Sequence, residues 1–301
     1  MTDRYEAIIR QASRPLKPIP PSVEPRWSPL PAVRAVLFDI YGTLLVSASG
    51  DIGSMDAEAR ATALVTALKA VGLEYSGSGV EGASRLRQVI EADHAARRAL
   101  GVDYPEVDIV EIWRETCSLF HASGQLRQLP EDTDYRRLAV EFETRVNPIW
   151  PMPGLLECLA SLRQRGPVMG IISNAQFFTP LAFPALVGQS LDQLGFAPRL
   201  RYYSYEHGCA KPGPKLYGMA AQDLAENEIL PSQVLYVGND MRNDIGPAAE
   251  VGFRTALFAG DRRSLRLRTE DAARDRCGQP DAIVTHLKQI PTILAAAGGA
   301  R

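Results

Sequence analysis

Four short apolar runs of the sequence are each followed by side chains that can do chemistry. An acid follows the first run, a hydroxyl ends the second, a cation lies in the loop after the third, and two acids follow the fourth. A carboxylate attacks an electrophile without a general base, a lysine neutralises charge beside it, and further carboxylates hold a metal ion. This order of residue types predicts one catalytic site made from Asp39, Ser173, Lys211, Asp240 and Asp244.

Charge balance favours a divalent cation at this site. If the three aspartates converge and only Lys211 opposes them, two carboxylates about 4 Å apart repel by roughly 4 kcal/mol at an effective dielectric constant of about 20. An anionic substrate adds to the repulsion, and Mg²⁺ suits a site that offers only oxygen ligands. The sequence therefore predicts Mg²⁺ as the cofactor.

The apolar runs have the character of buried parallel strands, and helical periodicity separates them. Leu155, Leu159 and Leu162, for example, mark a helix before the second run. This alternation predicts an α/β fold with a Rossmann-like parallel sheet and helices on both faces. Because ligands of such a sheet bind beyond the carboxyl ends of its strands, the side chains after the runs should meet at one edge. The predicted strands are 33–39, 168–173, 200–204, 234–238 and 255–258, with 282–284 offered as a sixth.

The interval 47–150 contains helical periodicity and little that resembles a buried strand. It is bounded by a serine-rich segment and by prolines near residue 150, which suit a two-strand hinge. The pattern predicts an all-helical cap domain over 47–150, inserted into a core formed by 33–46 and 151–301. The predicted apolar stripes of its helices are Leu64, Val65, Leu68 and Val71; Leu86, Val89, Ile90 and Leu100; Val110, Trp113, Cys117 and Phe120; and Leu138, Phe142 and Val146.

Residues 1–32 form an extension that is rich in proline from Pro15 onward. Proline fixes φ and lacks a backbone donor. We therefore expect this segment to be extended on the surface and to have no catalytic role.

The composition argues against two classes of partner. The 33 basic and 35 acidic side chains nearly cancel, so no overall field attracts nucleic acid or an anionic membrane. No apolar run is long enough to cross a bilayer, and the first residues lack the apolar stretch of a secretory signal, so we expect a cytoplasmic protein. The sequence leaves the oligomeric state open. Four cysteines lack metal-ligand spacing and are expected to be plain thiols: Cys117, Cys158, Cys209 and Cys277.

The polar segments after the apolar runs resemble the four motifs of the haloacid dehalogenase superfamily of hydrolases. The resemblance covers roughly residues 33 to 295 and includes a helical cap inserted after the first motif. The four segments together are far more specific than any one of them. They are Phe38-Asp39-Ile40-Tyr41-Gly42-Thr43-Leu44, Ile172-Ser173-Asn174, Lys211-Pro212 and Gly238-Asn239-Asp240-Met241-Arg242-Asn243-Asp244.

The resemblance implies that Asp39 attacks the substrate and forms a covalent aspartyl intermediate that water then resolves. It implies that Asp39, Asp240 and the backbone carbonyl of Tyr41 hold Mg²⁺. Asp244 is expected to bind the ion or to orient a coordinated water. The alternative for Asp244 is the capping of a helix that begins near Gly246.

The remaining motif residues are expected to serve the substrate. Gly42 permits a tight turn after the strand, and Thr43 and Ser173 offer hydroxyls to substrate oxygens. Asn174 belongs to the same substrate site, and Lys211 neutralises charge around the nucleophile. The alternatives are a helix-capping hydroxyl for Thr43 and a surface amine for Lys211.

One residue departs from the family pattern. Most phosphatases of the superfamily carry a second aspartate two residues after the nucleophile as acid and base, and this chain has Tyr41 there. A phenol with a pKa near 10 can donate a proton, which makes Tyr41 a catalytic candidate, but it is a poor base at neutral pH. Loss of general acid or base help typically costs about 10²- to 10⁴-fold in rate. The 2-haloacid dehalogenases carry the same tyrosine, and departure of a halide needs no proton.

The sequence predicts a Mg²⁺-dependent hydrolase that acts through an aspartyl-enzyme intermediate on a small phosphorylated metabolite. The alternatives are a metal-independent 2-haloacid dehalogenase and a protein that binds a phosphorylated ligand with little or no turnover. Against dehalogenation, Asp240 stands where those enzymes have hydroxyl and amide side chains. The cap also offers no clear counterpart of their substrate-binding arginine, since its candidates are Lys69, Arg85 and Arg87.

Further side chains are candidates for contact with the substrate at the entrance of the site. Charged residues of a cap helix usually form its solvent face, and phenylalanines near a strand usually serve packing, so both sets have a plain alternative. The cap candidates are Arg85, Arg87, His94, Arg97 and Arg98, and the core candidates are Gln176, Phe177 and Phe178.

Overall fold

The protein is described by a computed structural model over residues 2–49, 56–268 and 278–294. In chain order its strands are β1 (Arg26–Trp27), β2 (Ala35–Phe38), β3 (Leu45–Ser47), β4 (Ile149–Pro151), β5 (Val168–Ser173), β6 (Phe196–Tyr203), β7 (Val234–Gly238), β8 (Arg254–Phe258) and β9 (Ala282–Val284). Seven of them form one sheet in the order β1-β9-β8-β7-β2-β5-β6, and β3 pairs with β4 in a separate ribbon. All pairs of the main sheet are parallel except β1 with β9.

The helices lie on both faces of the main sheet and in the interval between β3 and β4. They are α1 (Thr2–Ala12), α2 (Ala57–Ala70), α3 (Gly79–Ala99), α4 (Ile109–Ala122), α5 (Tyr135–Val146), α6 (Leu155–Arg165), α7 (Ala182–Val187), α8 (Ser204–His207), α9 (Lys215–Ala225), α10 (Gly246–Glu250) and α11 (Ile290–Ile293). A π-helix over Met241–Ile245 precedes α10 directly. None of the helices in the described ranges is long and apolar enough to cross a membrane.

The central strand β2 shows why the core strands read as continuous apolar runs. All four of its residues are buried, because side chains of a strand alternate between two faces and both faces are covered. Val36 and Phe38 pack with helices α6 and α11, whereas Ala35 and Leu37 pack with α9. The predicted α/β fold with helices on both faces is confirmed.

The strand predictions agree with the structure at the runs that precede the site residues. Strands β5 and β7 have the predicted bounds, and β9 confirms the sixth run. Strand β6 begins at Phe196, four residues before the predicted run. Phe196 is buried and packs edge-on against Phe38 with ring centroids 6.1 Å apart, but the polar residues after it hide the start of the strand in the sequence.

The four cap helices α2 to α5 form where the apolar stripes predict them. Their inner faces make one core that includes Leu64, Leu68, Trp113 and Leu138. An aspartate or serine side chain caps the first turn of each helix, which satisfies backbone N–H groups that lack a partner inside the helix. The segments that enter and leave this interval pair as the antiparallel β3–β4 ribbon, and its role as a hinge stays a prediction. Two stripe predictions are wrong, because Val65 and Leu100 are exposed.

The prediction of an extended N-terminal segment is wrong for its first part. Residues 2–12 form helix α1, whose Tyr5 and Ile9 are buried against the cap core. The prolines begin only at Pro15, so they place no restriction on the residues before them. Residues 15–34, all of which are described, contain β1 and no helix.

Candidate active site

The carboxyl ends of the central strands bring the predicted site residues together. Phe38 is level with Ile171 of β5 and Val237 of β7, so the residues that follow these three strands leave the sheet at the same height. A cavity of about 150 Å³ lies there. Among the predicted site residues, its walls include Asp39, Tyr41, Asn174, Lys211, Asp240 and Asp244.

Lys211 is a buried cation between two carboxylates. Its Nζ lies 2.7 Å from Oδ1 of Asp39 and 2.5 Å from Oδ1 of Asp244, and its side chain is 4% exposed. The side chain of Asn174 fixes the backbone of Lys211, since Oδ1 accepts its N–H at 2.7 Å and Nδ2 donates to its carbonyl at 3.1 Å. Burial lowers the pKa of Lys211, but the two aspartates outweigh it and raise the pKa overall. The surface-amine alternative for Lys211 is therefore wrong.

Asp244 orients Lys211 and the loop after β7. Its Oδ2 accepts the backbone N–H groups of Asn239 at 3.0 Å and Asp240 at 2.9 Å, and its Oδ1 faces Lys211 and the hydroxyl of Tyr236. A Cβ on Gly238 would lie 2.4 Å from Cγ of Asp244, so this approach requires glycine. Burial raises the pKa of Asp244 to about 6 against the lowering effect of Lys211, and the carboxyl is still ionised at neutral pH.

Asp244 does not cap the helix that follows, because no side chain caps α10 in the structure. Both of its oxygens are already engaged by donors, which leaves its predicted metal contact without support from the geometry. The capping role falls to Asp240, whose Oδ1 accepts the N–H groups of Arg242 and Asn243 at the start of the π-helix.

Arg268 pairs with Asp240 and was missed by the sequence reasoning. Its Nη2 lies 2.7 Å from Oδ2 of Asp240, and its Nε donates to Oδ1 at 3.2 Å. Backbone bonds between Asn239, Met241 and Arg266 hold the later segment beside the motif loop. The sequence argument for a metal counted only Lys211 as a positive charge opposite three aspartates. Arg268 adds a second positive charge to the site, so that argument is weaker. No spacing rule connects Arg268 to the motif.

Thr43, Gly42 and Ser173 lie beneath the cavity instead of on its walls. Thr43 is fully buried, and its hydroxyl donates to Oδ1 of Asn239 at 3.0 Å. Gly42 has φ of 81°, and a Cβ there would lie 2.5 Å from Cβ of Ser264, so glycine permits the close approach of two loops. Ser173 is fully buried beside the carbonyl of Asn174. Strand β3 follows Thr43, so its helix-cap alternative is wrong.

The cavity offers an oxygen-only donor set for a cation. Oδ1 of Asp39 is bonded to Lys211, whereas its Oδ2 and the carbonyl oxygen of Tyr41 accept no hydrogen bond from the described residues. The carboxylate of Asp240 also lines the cavity, but both of its oxygens already accept hydrogen bonds, Oδ1 from backbone N–H groups and Arg268 and Oδ2 from Asn243 and Arg268. Oxygen donors of this kind fit Mg²⁺. Within the described ranges, no group of three or more His, Cys, Asp or Glu side chains is placed to hold a metal.

Tyr41 is placed as a neutral phenol. Its hydroxyl lies 3.0 Å from Oγ1 of Thr179, and burial strongly raises its pKa. The phenol therefore stays protonated at neutral pH and cannot serve as the base that the second aspartate of the family provides.

Glu143 of α5 is a cap carboxyl that reaches the same cavity and was missed from the sequence. Its Oε1 accepts a hydrogen bond from Nδ2 of Asn147 at 3.2 Å, and the Glu143 carboxyl forms no ion pair with any described residue. Burial raises its pKa, which favours the protonated form. Glu141 on the same helix pairs instead with Arg137 and Arg145.

Some of the entrance candidates line a cavity, and others make structural contacts within the protein. Arg87 and Phe178 line a second cavity in the cap. Arg97 pairs with Asp93, and Phe177 packs edge-on against Tyr5 of α1. Gln176 ties the loop after β5 to the start of α4, since its Oε1 accepts the N–H of Ile109 at 3.2 Å.

Among the other candidates, Arg85 lies at a separate surface depression, and burial lowers the pKa of His94. Arg98 is exposed on α3. Cys117, Cys158 and Cys209 are buried free thiols, whereas Cys277 lies outside the described residues.

Comparison with solved structures places this architecture among known hydrolases. A 2-haloacid dehalogenase from Pseudomonas syringae pv. Tomato DC3000 is 20% identical, with 87% of this chain and 97% of that chain covered and a TM-score of 0.56. An HAD phosphatase from Thermococcus onnurineus is 20% identical, with 88% and 99% covered and a TM-score of 0.50. At this identity the likeness concerns the fold alone, and it includes proteins of both activities.

Sequence comparison supplies the family. No curated protein matches the chain significantly. The family model of haloacid dehalogenase-like hydrolases matches residues 33–252. This range contains the core strands β2 to β7, the cap helices and all four segments that build the cavity. The chain therefore belongs to the haloacid dehalogenase-like hydrolases.

Proposed function

We propose that this hydrolase cleaves the phosphate monoester of a small metabolite through a covalent intermediate on Asp39, with Mg²⁺ as cofactor. One observation carries the proposal. Oδ1 of Asp39 is held at 2.7 Å by the buried cation Lys211, while Oδ2 accepts no hydrogen bond from the described residues, in a cavity that also contains Asp240. A carboxylate held in this way is oriented, with one oxygen left for attack.

The first half-reaction assigns roles to three side chains. Oδ2 of Asp39 forms a bond to phosphorus as the bond between phosphorus and the ester oxygen breaks. Lys211 orients the nucleophile through its hydrogen bond and balances its charge. Glu143 donates its proton to the departing alkoxide, which leaves as an alcohol. A carboxyl with a raised pKa is suited to this donation at neutral pH.

The second half-reaction restores the enzyme. The carboxylate of Glu143 takes a proton from water, whose oxygen attacks phosphorus and displaces Asp39, and inorganic phosphate leaves. A cap residue thus replaces the second aspartate that the first motif lacks. The neutral phenol of Tyr41 takes no part in proton transfer.

Mg²⁺ would be held by Asp39, Asp240 and the backbone carbonyl of Tyr41. Asp39 would serve through Oδ1, which has a second lone pair beside its bond to Lys211, so that Oδ2 stays available for the attack. When bound, it neutralises the charge of the phosphate oxygens. The oxygen donors of the cavity support this assignment, but an ion would compete for Asp240 with Arg268 and with the hydrogen bonds from Asn243. We therefore expect a weaker affinity for Mg²⁺ than the carboxylates alone would give.

Metal-independent dehalogenation is the second candidate, and one observation favours it. Arg268 already neutralises Asp240, so the acid that argued against a metal-free site carries a partner. Arg60 and Arg87 of the cap line the neighbouring cavity and bring cations toward a carboxylate substrate. A protein that binds a phosphorylated ligand without turnover is the third candidate.

Parallel assays separate the three candidates. Phosphate release from 4-nitrophenyl phosphate and chloride release from 2-chloropropionate are measured with Mg²⁺ and with a chelator, in the wild type and in Asp39→Asn. Phosphate release that chelation and Asp39→Asn both abolish supports the proposal. Chloride release that survives chelation overturns it in favour of dehalogenation, and phosphate binding without any release favours the third candidate. A cytoplasmic location stays a prediction from the sequence.

A further inference from the structure

The cap contains a second and larger cavity that opens beside the catalytic one. Its volume is about 420 Å³, against about 150 Å³ for the catalytic cavity. Ser49, Glu143 and Asn147 line both, so the two spaces meet at these residues. An ester bound at Asp39 would therefore extend its organic group past Glu143 into the cap.

The walls of the cap cavity are mainly apolar. Side chains from helices α3, α4 and α5 and one from the core form them: Leu86, Ile90, Ile109, Trp113, Phe142, Val146 and Phe178. Besides Glu143, three charged residues line the cavity: Arg87 and Glu91 are exposed and form its solvent side, and Arg60 is half-buried. A sugar or another heavily hydroxylated group would leave most of its polar atoms without partners on these walls.

Trp113 provides a second, independent indication of a ligand. Its side chain is fully buried, lines the cap cavity and packs edge-on against Phe142 with centroids 5.2 Å apart. Its indole N–H has no hydrogen-bond partner among the residues that the structure describes. Buried tryptophan N–H groups usually find a partner, and an unsatisfied one costs free energy. An acceptor on a bound molecule would satisfy it.

From these observations we infer that the cap cavity binds the organic group of the substrate, and that this group is neutral, mainly apolar and carries a hydrogen-bond acceptor for Trp113. Its size follows from the volume, since an apolar cavity of about 150 Å³ holds one benzene ring. The cap cavity accommodates a two-ring aromatic group or a branched chain of similar bulk. The inference rests on the proposed function only in placing the phosphate at Asp39.

The test measures binding by calorimetry to Asp39→Asn protein, which does not turn the ligands over. The ligands are n-alkyl phosphates from ethyl to hexyl, glycerol phosphate, and 1-naphthol, which has no phosphate. We expect affinity to rise about fourfold for each added methylene. Filling the cavity with Ala139→Leu or Ala83→Leu should flatten this rise, whereas Ala96→Leu, which adds the same bulk to an exposed position of α3, should preserve it. Two filling variants guard against one that fails to fold.

Removal of the indole N–H tests the polar part of the inference. Trp113→Phe should weaken 1-naphthol binding about fivefold, the effect of one hydrogen bond, and should leave the affinity for inorganic phosphate unchanged. Any of three results overturns the inference. These are affinity that is independent of chain length, tighter binding of glycerol phosphate than of butyl phosphate, and equally tight binding of 1-naphthol to the wild type and both filling variants. If no phosphate ester binds but 1-naphthol does so in a way that Ala139→Leu abolishes, the cavity assignment stands and the phosphate proposal fails.

Discussion

The conservative substitution Glu143→Gln tests whether the cap supplies the missing acid. Glutamine has the shape of glutamate and its Oε1 can keep the hydrogen bond from Asn147, so the change removes the proton donor with little disturbance of packing. No ion pair with a described residue is lost, because Glu143 forms none there. Any loss of activity therefore reports on proton transfer.

The magnitude depends on the leaving group. General acid and base help contributes about 10²- to 10⁴-fold, which corresponds to about 2.7 to 5.4 kcal/mol of transition-state stabilisation. An alkoxide needs the proton, so kcat/KM for hexyl phosphate should fall by this factor. 4-Nitrophenolate leaves without a proton, so its phosphate ester should lose less than about tenfold.

The assay follows kcat/KM for both esters as a function of pH. In the wild type, activity on hexyl phosphate should fall as pH rises through the raised pKa of Glu143, and this limb should be absent in Glu143→Gln. Glu141→Gln is the matched control on the same helix, since that carboxyl pairs with two arginines and lines neither cavity. Equal losses for the two esters in Glu143→Gln, or similar losses in the control, would refute the role of Glu143 as acid.

Four further outcomes are expected. Glu143→Gln should be more stable than the wild type at pH 8 but not at pH 4 in chemical denaturation, because a carboxyl with a raised folded pKa loses stability as pH rises through that pKa. Arg268→Ala should bind Mg²⁺ about tenfold more tightly in titration calorimetry, since the charged hydrogen-bonded pair that it removes contributes about 1.5 kcal/mol. An unchanged affinity, or an equal gain in the control Arg242→Ala at an exposed position, would contradict the metal assignment. Lys211→Met should lower the free energy of unfolding by about 3 to 5 kcal/mol and abolish activity, because it leaves two buried carboxylates without their cation. A stable and active variant would contradict the site geometry. Gly238→Ala should cost about 1 to 3 kcal/mol in denaturation, since its Cβ meets Asp244, and a neutral effect would contradict this packing.

The sequence predicts the sheet and the meeting of Asp39, Lys211 and Asp240 because both depend on local patterns. A buried parallel strand is a continuous apolar run, and its carboxyl end sets where the next side chain lies. Glu143 and Arg268 could not be found in this way. Their positions depend on how the cap closes over the core and on how a distant loop pairs with residues 239–241, and neither relation leaves a periodic signal in the chain.

The roles of Thr43 and Asp244 also depended on tertiary geometry. A hydroxyl or a carboxylate at a given motif position can face the ligand or another protein group, and the choice is made by the partners available within hydrogen-bond distance. The hydroxyl of Thr43 donates to the side chain of Asn239, and the carboxylate of Asp244 accepts bonds from Lys211 and from two backbone N–H groups. Residue type alone cannot distinguish these outcomes.

Helix α1 has a mechanical consequence for turnover. The hydroxyl of Tyr5 donates to Oδ1 of Asp134 at the start of α5 in the cap, while Nε of Arg10 donates to the carbonyl of Ala185 in α7 of the core. If the cap swings about the β3–β4 ribbon during turnover, the motion has to break or shift these contacts, because α1 is bonded to both parts. Changes in the 11 residues of α1, which precede the range matched by the family, are then expected to alter substrate entry and product release without touching a catalytic atom.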